Sequence, residues 1–345
     1  MDSHSIPKTD SEAGDDYGRT VKPLVSIGLP VFNGEKFLEG TLDSICAQTF
    51  TNFELIISDN ASTDRTEQIC RNYSDNDSRI RYYRNSGNCG AAKNFNRVFE
   101  LSSGMYFKWA AYDDLLDPKF LTKCVQKLER DSSIVLCHSK TAYIDENGQS
   151  LKLYQYENGN DSQKLHKRFR NQLSFFRPSW AIFGLIRADT LRETTMFGDY
   201  IGSDRNLLAE LSLLGRIFEI PEYLFFGRIH PQSYSYRFHS ENRSFSDYRE
   251  RFLWWTETDK DFEIIFPHLK NCLEYYRSIK RVSLKWSEQV LCLTELLKWF
   301  IVEGIWVVFF NVYVAIRHRL KFLHRFDVVA LKLILDFKKG VVRMK

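Results

Sequence analysis

The chain of 345 residues has no uninterrupted apolar run long enough to cross a bilayer, no CxxC pair, and none of the common glycine- or histidine-based site signatures. Each absence removes a class. A membrane span needs about 20 apolar residues. The best stretch, 296–316, is broken by Lys298, Glu303 and Asn311, and its cleanest part, 304–316, is 13 residues long, which reads as a packed or interfacial helix. The seven cysteines are scattered and never fall at metal-ligand intervals with His, so they read as reduced, mostly buried thiols of a cytosolic protein. Where a dinucleotide site would need GxGxxG the chain has GLPVFNGE, and GxxxxGK[ST], GxSxG and HExxH are missing too, which excludes a Rossmann dinucleotide site, a P-loop and the commoner hydrolases. Residues 1–22 hold no apolar signal-peptide core, and their Ser, Asp and Gly content predicts a floppy leader.

What remains is the composition of a globular chain, 43% hydrophobic and rich in aromatics, enough for a sizeable core. Its charge is uneven. Residues 317–345 carry nine Lys or Arg against two Asp, a surplus of seven, so with a net charge of +4 the rest of the chain stands at −3. A basic tail on a slightly acidic body predicts an anionic surface as partner and no nucleic acid.

The apolar pattern alternates between two periods. LVSIGLPVF (24–32) and FELIISDN (53–60) read as buried strands closed by Asn or Asp, whereas EKFLEGTLDSICAQ (35–48) and STDRTEQICRNY (62–73) read as helices. IRYYRN (80–85), a helix around 91–102 and MYFKWAAY (105–112) continue the series. This is an α/β sheet of parallel strands flanked by helices. Ligands in such sheets bind beyond the carboxyl ends of the strands, near the point where strand order reverses. Asn33, Asp59 and the pair Asp113 and Asp114 end successive strands and should converge on one crevice. Asp and Asn also favour turns for their own sake.

VSIGLPVFNGEKFLEGTLDSICAQTFTNFELIISDNASTDRT resembles the opening of the family 2 glycosyltransferases, with their P-x-x-N loop and Asp-Asn-x-Ser-x-Asp signature, and the similarity extends over about residues 23–235. It implies a GT-A fold, a Rossmann-like mixed sheet flanked by helices over 23–240, followed by a helical region over 241–345. By position, Pro30, Val31, Phe32 and Asn33 would line the nucleotide pocket, Asp59 would accept a hydrogen bond from the base, typically uracil, and Asn60 and Asp64 would hold that strand end. Asn88 and Lys93 are candidate nucleotide contacts, although Lys93 also suits a solvated helix face. In YDDLLDP, Pro118 fixes the register so that Asp113 matches the second Asp of the metal-binding DxD motif. It would hold Mn²⁺ or Mg²⁺ on the donor diphosphate. Ala111 replaces the first Asp, a departure that puts one contact in doubt. Asp114 is better read as a turn or helix-capping residue.

The resemblance continues through RPSWAIFGLIRADTL (177–191), which implies a sugar and acceptor pocket around Trp180 and Gly184. Asp204 then falls in the first turn of an apolar-faced helix. A lone Asp there suits the helix dipole; the resemblance implies the base of an inverting transfer. His230 resembles the C-terminal His that supports metal or diphosphate in this fold, and Arg228 is a pocket candidate beside it. The implied activity is metal-dependent inverting transfer of a sugar from a nucleotide donor, a UDP-sugar, to a hydroxyl on a lipid-linked or surface glycan acceptor. A non-catalytic nucleotide-sugar binding module is the alternative, motivated by Ala111. A nucleotidyltransferase would also use metal carboxylates, but its glycine-rich signature is missing. In the tail, Phe322, Phe326, Val329, Leu333 and Phe337 share one helical face and Lys321, Arg325 and Lys332 another. That pattern predicts peripheral contact with the cytosolic face of a membrane.

Overall fold

The computed structural model describes residues 22–154, 161–173, 179–231, 233, 253–256 and 267–304. The leader and the basic tail with its membrane contact lie outside them, as does the 305–316 part of the apolar stretch. Among the described residues no helix is long and apolar enough to cross a membrane.

The two apolar runs with no polar alternation become strands buried on both faces: in β1 (Val25–Val31) and β2 (Phe53–Asp59) every residue is buried. With β3 (Ile80–Arg84) and β4 (Tyr106–Trp109) they form a parallel set ordered β3-β2-β1-β4. Between these strands run α1 (Leu38–Cys46), α2 (Thr66–Asn76) and α3 (Ala91–Glu100). Leu38, Leu42 and Ile45 are the buried apolar face of α1, as their spacing predicts. Because β1 leads to β2 on one side and lies beside β4 on the other, strand order reverses at β1. The crevice rule therefore points to the loops after β1, β2 and β4.

Beyond β4 the sheet is mixed rather than parallel. The added strands are β5 (Leu115–Leu116), β6 (Ile134–Ile144), β7 (Ser150–Tyr154), β8 (Leu185–Arg187) and β9 (Arg216–Arg228). β8 pairs antiparallel with both β4 and β6, β6 runs parallel to β9, and β5 and β7 pair antiparallel with β9 and β6. The helices here are α4 (Phe120–Arg130), α5 (Leu165–Gln172), α6 (Ala188–Arg192) and α7 (Ser203–Leu214).

The C-terminal helices α8 (Pro267–Arg281) and α9 (Trp286–Trp299) share a core with α5 and α7, built from residues such as Phe169, Leu213, Tyr275, Ile279 and Leu296. Buried Glu210 of α7 pairs with Arg281 of α8. All seven cysteines are free, and four of them are buried.

His138, buried in β6, donates through Nδ1 to the Ser139 carbonyl at 3.0 Å, while its Nε2 has no partner among the described residues. Burial pushes its pKa down to about 4. Below pH ~6.5 the unfolded chain then takes up a proton that the folded chain refuses, so stability falls with pH until about pH 4. His138→Gln should shrink the difference in unfolding free energy between pH 7 and pH 4 by up to about 3 kcal/mol. Denaturant titrations at the two pH values measure it.

Candidate active site

The loops after β1 and β2 are two halves of one hydrogen-bonded latch. Asn33, at φ 51°, donates its N–H to Ser62 Oγ at 2.9 Å, and its Oδ1 accepts from Thr63 N at 2.8 Å. Gly34 N–H reaches Thr66 Oγ1 at 2.8 Å, and Glu35 N–H reaches Asp64 Oδ2 at 3.1 Å. Asp64 Oδ1 also takes the Thr66 N–H at 3.0 Å, at the start of α2. The P-x-x-N and Asp-Asn-x-Ser-x-Asp motifs are therefore physically one unit. Pro30 and Val31 are buried within β1, and Phe32 and Asn33 are exposed beyond it.

Asp59 has no exposed surface, and both of its oxygens are engaged. Oδ1 accepts from Ser62 N at 2.8 Å; Oδ2 accepts from Tyr82 Oη at 2.8 Å and pairs with Arg84 at 2.6 Å. Arg84 and Tyr82 come from β3 and were not singled out in the sequence. Their signal is the polar end of IRYYRN, one strand over from Asp59. Asn60 Oδ1 receives Asn85 Nδ2 and Cys89 N, and Asn60 Nδ2 donates to Asn88 Oδ1. Asn88 is thus tied to the β2 end. Lys93, in the first turn of α3, is exposed and has no polar partner among the described residues.

The third loop carries the carboxylate pair. β4 ends at Trp109, and Asp113 lies four residues on, in a turn. His230, just past the end of β9, places Nε2 2.9 Å from Asp113 Oδ2 although 117 residues separate the two in the chain. His230 is almost wholly buried, its ring 4.5 Å from that of Phe37. Its Nδ1 has no partner among the described residues, and the Asp113 carboxylate, an acceptor only, places the ring proton on Nε2, the position a cation would take.

Asp114 faces inward. Its Oδ1 accepts the Arg228 N–H at 2.9 Å, and burial together with the adjacent Asp113 carboxylate pushes it well above the usual carboxylate range. Neither acid caps α4, whose N-cap Lys119 makes no side-chain capping bond; Asp117 Oδ1 takes the Lys119 N–H at 2.9 Å just ahead of the helix.

Arg228 braces this turn from behind. Its Nε donates to the Asp113 carbonyl at 2.8 Å and its Nη1 to the carbonyls of Asp145 and Glu146 at 2.8 and 2.9 Å. Trp180 stands against Gly227, its Nε1 donating to Tyr143 Oη at 3.1 Å. Gly184 serves close packing within the protein, since a Cβ there would sit 2.7 Å from the Cys137 carbonyl oxygen.

Asp204 occupies the first turn of α7, half-buried, with no hydrogen-bond or ion-pair partner among the described residues. The turn that launches α7 depends on Gly202, at φ 89°, where a Cβ would lie 2.7 Å from Asn271 Nδ2. Asn271 holds the turn in place, donating to the Ile201 carbonyl at 3.1 Å and accepting Asn206 Nδ2 on its own carbonyl at 3.1 Å.

Among the described residues no three His, Cys, Asp or Glu side chains gather into a self-sufficient metal site. The Asp113–His230 pair supplies two donors at one point. That set suits a divalent cation whose remaining ligands are substrate phosphates and water, as Mg²⁺ and Mn²⁺ sites on nucleotides often are.

Residues 26–190 match the model of Glycosyl transferase family 2. An uncharacterized glycosyltransferase of Rickettsia typhi is 34% identical over 148 residues, covering 42% of this chain and 45% of the relative. Another, from Haemophilus influenzae, is 29% identical over 228 residues, covering 64% of this chain and 71% of the relative. The chain thus spans less than half the length of the Rickettsia protein. In fold it is similar to S. aureus TarS 1-349, solved in complex with UDP-GlcNAc, at a TM-score of 0.51 and 16% identity over 80% of each chain. The mixed sheet is of the GT-A type.

Proposed function

Residues 26–190 belong to glycosyl transferase family 2, and from that premise we propose that the chain moves a sugar, with inversion, from a nucleotide donor to a hydroxyl acceptor with the help of Mn²⁺ or Mg²⁺. The observation that carries this reading is the meeting of Asp113 and His230 at 2.9 Å in the crevice region beyond the strand ends. UDP-GlcNAc, the ligand of the similar fold, is the donor to test first.

In this scheme the 33–35 and 59–66 latch shapes the base pocket with Pro30, Val31 and Phe32. Asp59 acts through Tyr82 and Arg84, because it meets a base directly only if Arg84 swings away. Lys93 offers its free ammonium to the donor phosphates. A cation held by Asp113 and His230 would neutralise the charge that develops on the departing diphosphate. Arg228, whose Nε and Nη1 are spent on backbone carbonyls, keeps Asp113 in position.

Asp204 takes the proton from the attacking acceptor hydroxyl. Its carboxylate has no competing partner among the described residues, which leaves it free to accept that proton. Trp180 and the neighbouring aromatics wall the acceptor side, and the acceptor is a lipid-linked or surface glycan.

A panel of nucleotide sugars with Mn²⁺, scored for diphosphate release and sugar transfer, tests the reading. Turnover with at least one donor is the expected result. Donor binding without turnover across a broad acceptor set would leave a binding module instead.

A further inference from the structure

The outer face of α9 is the least explained surface of the described molecule. Cys292, Leu296 and Trp299 turn inward to the core shared with α5, α7 and α8. The opposite side should then be polar, as on an ordinary surface helix. Instead it presents Trp286 at 78% exposure, Leu297 at 58%, Val290 and Leu291, continued by Ile301 at 56% and Val302 in the helical turn that follows. These residues recur at helical spacing from Trp286 to Val302, a strip about 24 Å long at 1.5 Å per residue. An exposed apolar strip of this length, interrupted only at Thr294, marks a surface that something covers.

We propose that this strip is a membrane-docking face, and that its occupant is an anionic lipid surface. Charge selects the occupant. Lys280, Lys285 and Lys298 are exposed around the strip, whereas Glu288 and Glu295 of α9 are half-buried and Glu295 is paired with Lys298. Residues 317–345, which begin 15 positions after Val302, add a surplus of seven positive charges. A second copy would set one cationic rim against another, and the basic tail folded back on the strip would do the same. An anionic bilayer instead receives the apolar residues among its acyl chains and the lysines among its headgroups, with Trp286 at the boundary. The proposal rests on a membrane-presented acceptor only for its biological meaning. Vesicle binding is measured without donor or acceptor, so its failure would leave the transferase reading untouched.

The full chain is floated with vesicles of phosphatidylcholine alone and with about one third phosphatidylglycerol. Wild type should bind the anionic vesicles at least about tenfold more tightly than the neutral ones, and Leu297→Glu with Ile301→Glu should weaken that binding by about tenfold or more at unchanged melting temperature. Where the double variant fails to fold, wild type and Trp286→Phe are compared with vesicles carrying brominated lipid. Quenching that disappears with Trp286 supports the docking face. Unchanged binding by the variants, or quenching that persists without Trp286, overturns the proposal in favour of the tail alone. A wild-type dimer that ignores vesicles and becomes monomeric in the variant overturns it in favour of a protein interface.

Discussion

Asp204→Asn is expected to lower turnover by about 10³-fold, the usual weight of a positioned general base, with the donor KM changed by no more than about twofold. The substitution is nearly isosteric. Asn keeps the shape and gives up only the attraction of the charge to the helix dipole, about 0.3–1 kcal/mol, and the Asp204 carboxylate makes no hydrogen bond among the described residues whose loss would disturb the fold. A defect confined to kcat therefore isolates proton transfer. If the residue only supported α7, the variant would lose stability, or donor and acceptor affinity together, and turnover would not fall selectively. Steady-state kinetics and a thermal melt on the same preparation separate the two outcomes.

The second large effect concerns Asp113 and His230. Asp113→Asn should cost about 10²-fold or more in kcat/KM, because the cation on the diphosphate loses its one protein carboxylate. His230→Ala should cost about 10- to 100-fold. Both losses should be partly recovered at high Mn²⁺ concentration, a response expected of metal ligands and not of packing defects. Asp114→Asn is the informative neighbour. Its Oδ1 accepts only the Arg228 N–H among the described contacts, and an amide oxygen takes that hydrogen bond equally well. Activity close to wild type in Asp114→Asn, beside a large loss in Asp113→Asn, would separate two adjacent carboxylates by function.

The strands that shape the crevice were legible in the sequence because burial on both faces leaves an unbroken apolar run, and β1 and β2 lie within a residue of the runs that predict them. The 35–48 helix shortened to Leu38–Cys46, since the turn after Gly34 consumes its first residues. β9, which runs for 13 residues, gives no unbroken apolar run over that length. Pro221 interrupts its pattern, and its pairing with β6 jumps from Ile220 to Tyr223 there, an irregularity that accommodates the missing N–H. β8, three residues long, gives no periodic signal at all.

For the site, residue types were legible and partnerships were not. Periodicity says that Asp59 ends a strand, but not that Tyr82 and Arg84 from the next strand will saturate it. Position suggested Arg228 as a pocket residue, and only the folded chain places its donors on the carbonyls of Asp113, Asp145 and Glu146. Gly184 likewise answers to the Cys137 carbonyl. The pairing of His230 with Asp113 depends on the packing of β9 against β5 and β6, a relation between segments more than eighty residues apart.

Electron paramagnetic resonance of Mn²⁺ is the most direct test of the central claim that Asp113 and His230 hold a cation jointly with a nucleoside diphosphate. The free-ion signal should change little on adding protein alone, and should collapse when protein and UDP are both present. In a variant combining Asp113→Asn with His230→Ala the signal should remain that of Mn²⁺ with UDP in solution. An equal collapse in that variant, or full binding of UDP to the wild type with the free-ion signal intact, would contradict the account.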